Sequence, residues 1–193
     1  VPPSQHRGRS VSGWYSSNGV DKLVEQYLPD IGYACDVGAN DGKFFSNSLH
    51  YEQCGWTVLC IEPNPLLEAA GRAERKLWRT VAAGSKNGEM QFTACGEFPY
   101  ASDSGMRPDL GGQKFTVKVK TLDDLIEEAG FPRLDYLTLD CEGWEDEAMA
   151  GFTIERWKPR IIVREDWTGN GPEIPGYTWL TKLEFDNVYL RNE

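Results

Sequence analysis

Asp36-Val37-Gly38-Ala39-Asn40-Asp41-Gly42 decides how the rest of this chain is read. A short apolar run, Ile31-Gly32-Tyr33-Ala34-Cys35, leads into it and has the length and composition of a buried strand, placed at Tyr33–Val37. Residues 43–52 follow with helical spacing. A second apolar run, 56–61, supplies the next strand at Thr57–Ile61 and ends in Glu62, about 20 residues beyond the glycines, the offset of an acid that binds a ribose. The order strand, glycine turn, helix, strand, carboxylate opens a nucleotide-binding α/β domain. Glycines let backbone approach a ligand closely, and Glu62 can accept from two ribose hydroxyls.

The same turn discriminates between nucleotides. A dinucleotide fingerprint needs glycine at its first, third and sixth positions to cradle a pyrophosphate. Counted from Gly38, the third position is Asn40 and the sixth is Lys43. A ligand without phosphate fits better, and S-adenosylmethionine is such a ligand. Its ammonium wants acceptors, which Asp36 and Asn40 can supply. The alternative, a glycine turn with no ligand, leaves the spacing of Glu62 unexplained.

The chain has 193 residues, 40% hydrophobic and 26% charged, which suits a single domain over 1–193 with a sizeable core. A net charge of −10 repels phosphate backbones, so nucleic acid is not an expected partner. No apolar run reaches the ~20 residues that span a bilayer. Residues 1–12 read as a flexible leader without an apolar secretory core. The chain starts at Val1 rather than methionine, which fits a domain of a larger protein. Five cysteines, none at zinc spacing, read as small core hydrophobes of a reducing, cytoplasmic compartment.

Further along, 20–28 has an apolar helical face ended by Pro29, and Pro65 opens another helix. Residues 80–83 are expected as a third strand. Residues 89–95 and 114–120 alternate as an exposed antiparallel pair, joined by a long loop, 96–113, with the character of a lid. Thr121 caps a helix through Ala129, stopped by Gly130. Residues 134–139 form a buried strand ending in Asp140, and 142–152 a helix. Residues 160–163 form a strand ending in Arg164-Glu165-Asp166. A hairpin of 178–185 and 188–190 turns at Asp186-Asn187. Alternating strands and helices give a mostly parallel sheet, whose ligands sit beyond the strand C-termini. Asp36, Glu62, Asp140 and Glu165-Asp166 all stand there.

With these motifs in order, the chain resembles the FkbM-type S-adenosylmethionine-dependent methyltransferases over nearly its whole length. The resemblance rests on the segment 15–23 around Asn18, on Asp36 to Gly42, and on Cys60-Ile61-Glu62-Pro63-Asn64-Pro65. It extends to 117–124, to Asp140-Cys141-Glu142-Gly143-Trp144-Glu145, and to 159–163. Ser17 and Val20 depart from the family's N-terminal pattern. The resemblance implies a class I methyltransferase fold, Rossmann-like, with a mostly parallel seven-stranded sheet and a C-terminal antiparallel hairpin. It also implies methyl transfer to a hydroxyl of a sugar, glycan or related small metabolite. Asn18, Asp36, Gly38, Asn40, Glu62 and Ala83 are then the expected cofactor contacts.

Transfer from a sulfonium carbon needs the acceptor oxygen held about 3–3.5 Å away, in line with the leaving sulfur. A hydroxyl also needs its proton taken or polarised. His6 and His50 lie away from the strand ends, so carboxylates are the candidates. Asp140 ends the fourth strand and Glu142 starts the next helix, although Glu142 could simply serve that helix terminus. Glu145 is expected on the helix surface. Asp140, Glu165 and Asp166 occupy places analogous to magnesium ligands of catechol-type O-methyltransferases. A metal is not expected to be required, because Glu165 can instead pair with Arg164 or Arg160 or hold substrate hydroxyls. Trp144 and Trp167 flank the acids as sugar-stacking faces or as core. Two readings compete with methyl transfer: a nicotinamide-linked enzyme, and a non-catalytic domain of a larger glycan-modifying protein.

Overall fold

The structure is a computed structural model that describes residues 13–95, 104–106, 111–167, 169 and 171–193. The leader at 1–12 and most of the loop at 96–113 lie outside the described residues. The main sheet contains β1 (Tyr33–Val37), β2 (Thr57–Ile61), β3 (Leu77–Arg79), β7 (Tyr136–Leu139), β8 (Ile161–Glu165), β9 (Tyr177–Leu183) and β10 (Asp186–Arg191). Its strand order is β3-β2-β1-β7-β8-β10-β9. The pairs from β3 across to β8 are parallel, and β10 is antiparallel to both β8 and β9. A second, three-stranded sheet holds β4 (Ala82–Ala83), β5 (Gly88–Ala94) and β6 (Gln113–Lys120), in the order β4-β6-β5.

From β1 the chain builds outward to β2 and β3, then crosses back to place β7 on the other side of β1. The seam between β1 and β7 is therefore where strand order reverses, and a ligand crevice opens beyond such a seam. Side chains alternate across each strand. Cys35, Val37, Leu59, Ile61, Leu137, Leu139 and Ile162 pack on one face with Leu122, Leu125 and Ile126 of α4 (Leu122–Glu128). Ala34, Val58, Cys60, Tyr136 and Val163 pack on the other with Val20 and Val24 of α1 (Val20–Val24) and Tyr51 of α2 (Leu49–Gln53). By the same alternation Asp36, Thr138, Glu165 and Asp186 belong to this second face.

Several local readings change. The helix expected over 43–52 is α2 alone, because Asn40, Gly42 and Phe45 all have positive φ. Asp41 Oδ1 accepts from the Lys43 and Phe44 N–H groups, and Ser46 Oγ from those of Ser48 and Leu49, so side chains hold a loop until the helix starts. Pro65 opens a 3₁₀ turn, Pro65–Leu67, capped by Asn64, before α3 (Glu68–Glu74). The strand expected at 80–83 splits: β3 completes the main sheet, while β4 pairs with β6. Glu142 (φ 54) and Gly143 (φ 89) delay the next helix to α5 (Glu145–Ala150). The hairpin turns at Glu184-Phe185, with Glu184 at φ 52, and puts Asp186 and Asn187 inside β10. Thr121 caps α4 as expected, accepting from the Asp124 N–H at 3.2 Å. None of the five cysteines is disulfide-bonded, and no helix among the described residues is long and apolar enough to cross a membrane.

Candidate active site

A cleft holding about 1060 Å³ of space, part of it open to solvent, lies beyond the C-termini of β1, β2 and β7. Asp36, Gly38, Asn40, Glu62, Ala83, Asp140, Glu142 and Trp144 all line it. The glycine turn makes the seam possible. Gly38 has φ +84, and its N–H donates to Ile61 O at 2.9 Å, while the Asp140 N–H donates to Val37 O at 2.9 Å.

Glu62 is buried at the floor. Its Oε2 accepts from the Asn40 N–H at 3.0 Å and its Oε1 from the Asn64 N–H at 2.8 Å. Burial pushes this carboxyl up to about 7, against those two hydrogen bonds, which favour the anion. Each oxygen retains acceptor capacity for a ligand. Asn40 adds Oδ1, a buried acceptor with no hydrogen-bond partner among the described residues. A buried orphan acceptor is costly unless a donor arrives, and this one stands at the cleft. Phe44, Phe45, Leu67, Phe92 and Met106 give the cleft an apolar side.

Beyond Asp140 the second face carries more carboxyls. Glu165 is buried against Asp140, and Asp186 is its register partner in β10. Asp140 keeps solvent contact through the cleft yet is crowded by protein on its other sides. That crowding, then the charges of Glu165 and Asp186, raises its carboxyl well above the ordinary range. Glu165 is raised as well, by burial first and by Glu142 next, while hydrogen bonds from Trp167 and Asp140 favour its anion. Two close carboxyls cannot both ionise cheaply, so each member of the pair makes the loss of the last proton harder.

Other expected residues stand elsewhere. Asn18 does not line the cleft: its Nδ2 donates to Leu183 O at 3.0 Å and to Asp186 Oδ2 at 2.8 Å, pinning the N-terminal segment to the hairpin. Trp167 also lies outside the cleft lining, 58% exposed and stacked on Phe185 at 3.9 Å. Trp144 is in the cleft, with its indole N–H tied to Ala83 O at 3.0 Å. Among the described residues no group of three or more His, Cys, Asp or Glu could hold a metal ion, so the set Asp140, Glu165 and Asp166 is not assembled. Asp166 follows the end of β8, where its N–H donates to Phe185 O.

Glu145 is buried, not a surface residue. Its Oε1 accepts from Cys141 N–H at 2.7 Å and Gly143 N–H at 3.2 Å, and so fixes the loop that carries Glu142. Glu145→Ala leaves both donors unmet and is expected to cost about 2 kcal/mol or more, read as a lowered urea midpoint. Residues that sequence reasoning missed include Asn47, which lines the cleft and donates to Thr138 Oγ1 at 3.2 Å, together with Asp186 and Arg75. The alternation from Val188 back to Asp186 was the available signal for one of them; nothing in the sequence pointed to the others.

A mostly parallel α/β sheet with this cleft at its reversal point and an antiparallel C-terminal pair is the class I methyltransferase fold. Residues 36–178 match the methyltransferase FkbM domain, and the chain belongs to that family. It is also similar to the 2-O-methyltransferase NoeI of Sinorhizobium fredii, 26% identical over 167 residues, covering 74% of this chain and 65% of the relative. The chain thus spans just under two thirds of that curated relative's length.

Proposed function

We propose that this domain transfers a methyl group from S-adenosylmethionine to a hydroxyl oxygen of a sugar, glycan or related metabolite. One observation carries the reading: Glu62, a buried acid at ribose distance, and Asp140, hydrogen-bonded to Glu165 behind it, line one cleft at the sheet's reversal point. Membership in the FkbM family and the name of the relative support methyl transfer to oxygen. Bound here, the donor would supply an electrophilic methyl on a sulfonium. Glu62 holds the ribose, and Asp36 and Asn40 receive the ammonium. The Asp140–Glu165 pair accepts the proton that the acceptor hydroxyl releases as its oxygen bonds to carbon, while the carbon–sulfur electrons return to sulfur. Trp144 offers a ring edge beside the acceptor.

Calorimetry with S-adenosylhomocysteine and with NAD tests the donor. The first should bind and the second should not. Ribose hydroxyls donate to the anion of Glu62, so affinity should strengthen as pH rises through about 7 and level off above it. Glu62→Ala should lose hydrogen bonds worth ~1.5–3 kcal/mol each and flatten that pH dependence. Unchanged affinity in Glu62→Ala, or tight NAD binding, overturns the reading. A screen of sugar nucleotides and short glycans for methyl uptake then identifies the acceptor.

A further inference from the structure

Arg75 follows α3 and its side chain has no solvent exposure. Its Nε donates to Glu52 Oε2 at 2.6 Å, and its Nη1 to Gly42 O at 3.0 Å and Ser46 Oγ at 3.1 Å. Its Nη2 donates to Ser48 Oγ at 2.7 Å. Ser48 Oγ in turn donates a hydrogen bond to Asp36 Oδ2, which Ser46 Oγ also approaches at 3.5 Å and Arg75 Nη1 at 3.6 Å. One buried guanidinium therefore grips the last glycine of the turn, the loop after it, α2 and the end of β1. Gly42 has φ +84, and a Cβ there would stand 2.7 Å from Arg75 Cγ, so the turn is moulded on this side chain.

The cluster is also out of charge balance. Two buried carboxylates, Asp36 and Glu52, face one guanidinium, and the other titratable groups around Asp36 are Cys35, Cys60, Glu62 and Tyr136, none of them cationic. Every contact that ties Asp36 to the network falls on Oδ2, while the residue itself lines the cleft. An uncompensated buried anion is expensive, and a ligand cation at Asp36 would complete the balance.

We infer that Arg75 is a positioning residue for the methyl donor: from the buried side of the glycine turn, and through Ser48, it holds Asp36 as an anion aimed at the donor's ammonium. The inference rests on the donor proposed above. Burial raises the Asp36 carboxyl, and Arg75, Ser48 and Ser46 oppose that rise. Weakening the network therefore lets Asp36 take up a proton at higher pH, and ammonium binding weakens as pH falls.

The test compares two ligands across pH: S-adenosylhomocysteine, which carries the ammonium, and 5′-methylthioadenosine, which shares the ribose but lacks the amino acid. Titration of Glu62 affects both alike and cancels in their ratio. Ser48→Ala should weaken S-adenosylhomocysteine about tenfold near pH 6, the difference between a charged and a neutral acceptor, with the deficit shrinking as pH rises. Its affinity for 5′-methylthioadenosine should stay at the wild-type value throughout. Arg75→Lys, which keeps the charge and loses the fork, should show the same ligand-selective loss; Ser48→Ala carries the test if that variant does not fold. Equal weakening of both ligands, or of neither, makes the network structural only and overturns the inference. Failure of the wild type to bind S-adenosylhomocysteine at any pH strikes the proposed donor instead.

Discussion

Gly38→Ala is expected to prevent the chain from folding, or to remove most of its stability. An alanine Cβ at this position would stand 1.6 Å from Asp140 O and 2.7 Å from Asp140 C, and both are backbone atoms. No rotamer change relieves such a contact, so β1 and β7 would have to part at the central seam of the sheet. The positive φ adds ~1–2 kcal/mol for any residue with a Cβ. Strain combined with overpacking belongs to the small class of substitutions that exceed ~4–5 kcal/mol, against a total domain stability of ~5–15 kcal/mol. Gly88→Ala is the control, since nothing lies within 4 Å of its added Cβ. Urea unfolding of both variants decides the matter. A Gly38→Ala midpoint close to that of Gly88→Ala would mean that the close approach does not constrain the sheet.

Asp140→Asn is expected to lose roughly 10²–10⁴ in turnover while leaving S-adenosylhomocysteine affinity nearly intact. The substitution keeps the size of the side chain and removes the group proposed to take the acceptor's proton. In the wild type, crowding by protein raises both carboxyls, and Glu165 raises Asp140 further, so the base form grows as pH rises through neutrality. The wild-type rate should climb over that window, and the residual rate of Asp140→Asn should not. Turnover of Asp140→Asn at the wild-type rate would remove Asp140 as base and as orienter. Loss of activity with EDTA and its return with magnesium would instead make Asp140 a ligand.

The parts of this molecule that could be read from sequence are those set by short-range chemistry. The apolar runs place β1 and β2 to the residue, and Thr121 marks a helix start. Helix starts after positive-φ residues were misread, because helical spacing in 43–52 and 142–152 says nothing of Asp41, Ser46 or Glu145 binding backbone N–H groups. The acid at 62 was legible because its distance from the turn is fixed by one strand–helix–strand unit. Arg75 was not, since its partners 52, 48 and 36 come together only once α2 and α3 are packed. Asn18 was assigned to the cofactor from resemblance alone, and the hairpin takes its hydrogen bonds instead.

The three-stranded sheet has a bearing on how such domains diversify. Phe92, Ser104 and Met106 wall the cleft from a single excursion of chain between β4 and α4. Thr93 and Gly105 exchange backbone hydrogen bonds at 2.9 and 3.0 Å, so this wall hangs on β5 and not on the main sheet. The residues proposed to hold the donor sit at the other side, on the ends and exits of β1 and β2. On that reading one wall of the cleft can change its sequence while the strand ends that carry Asp36 and Glu62 stay as they are.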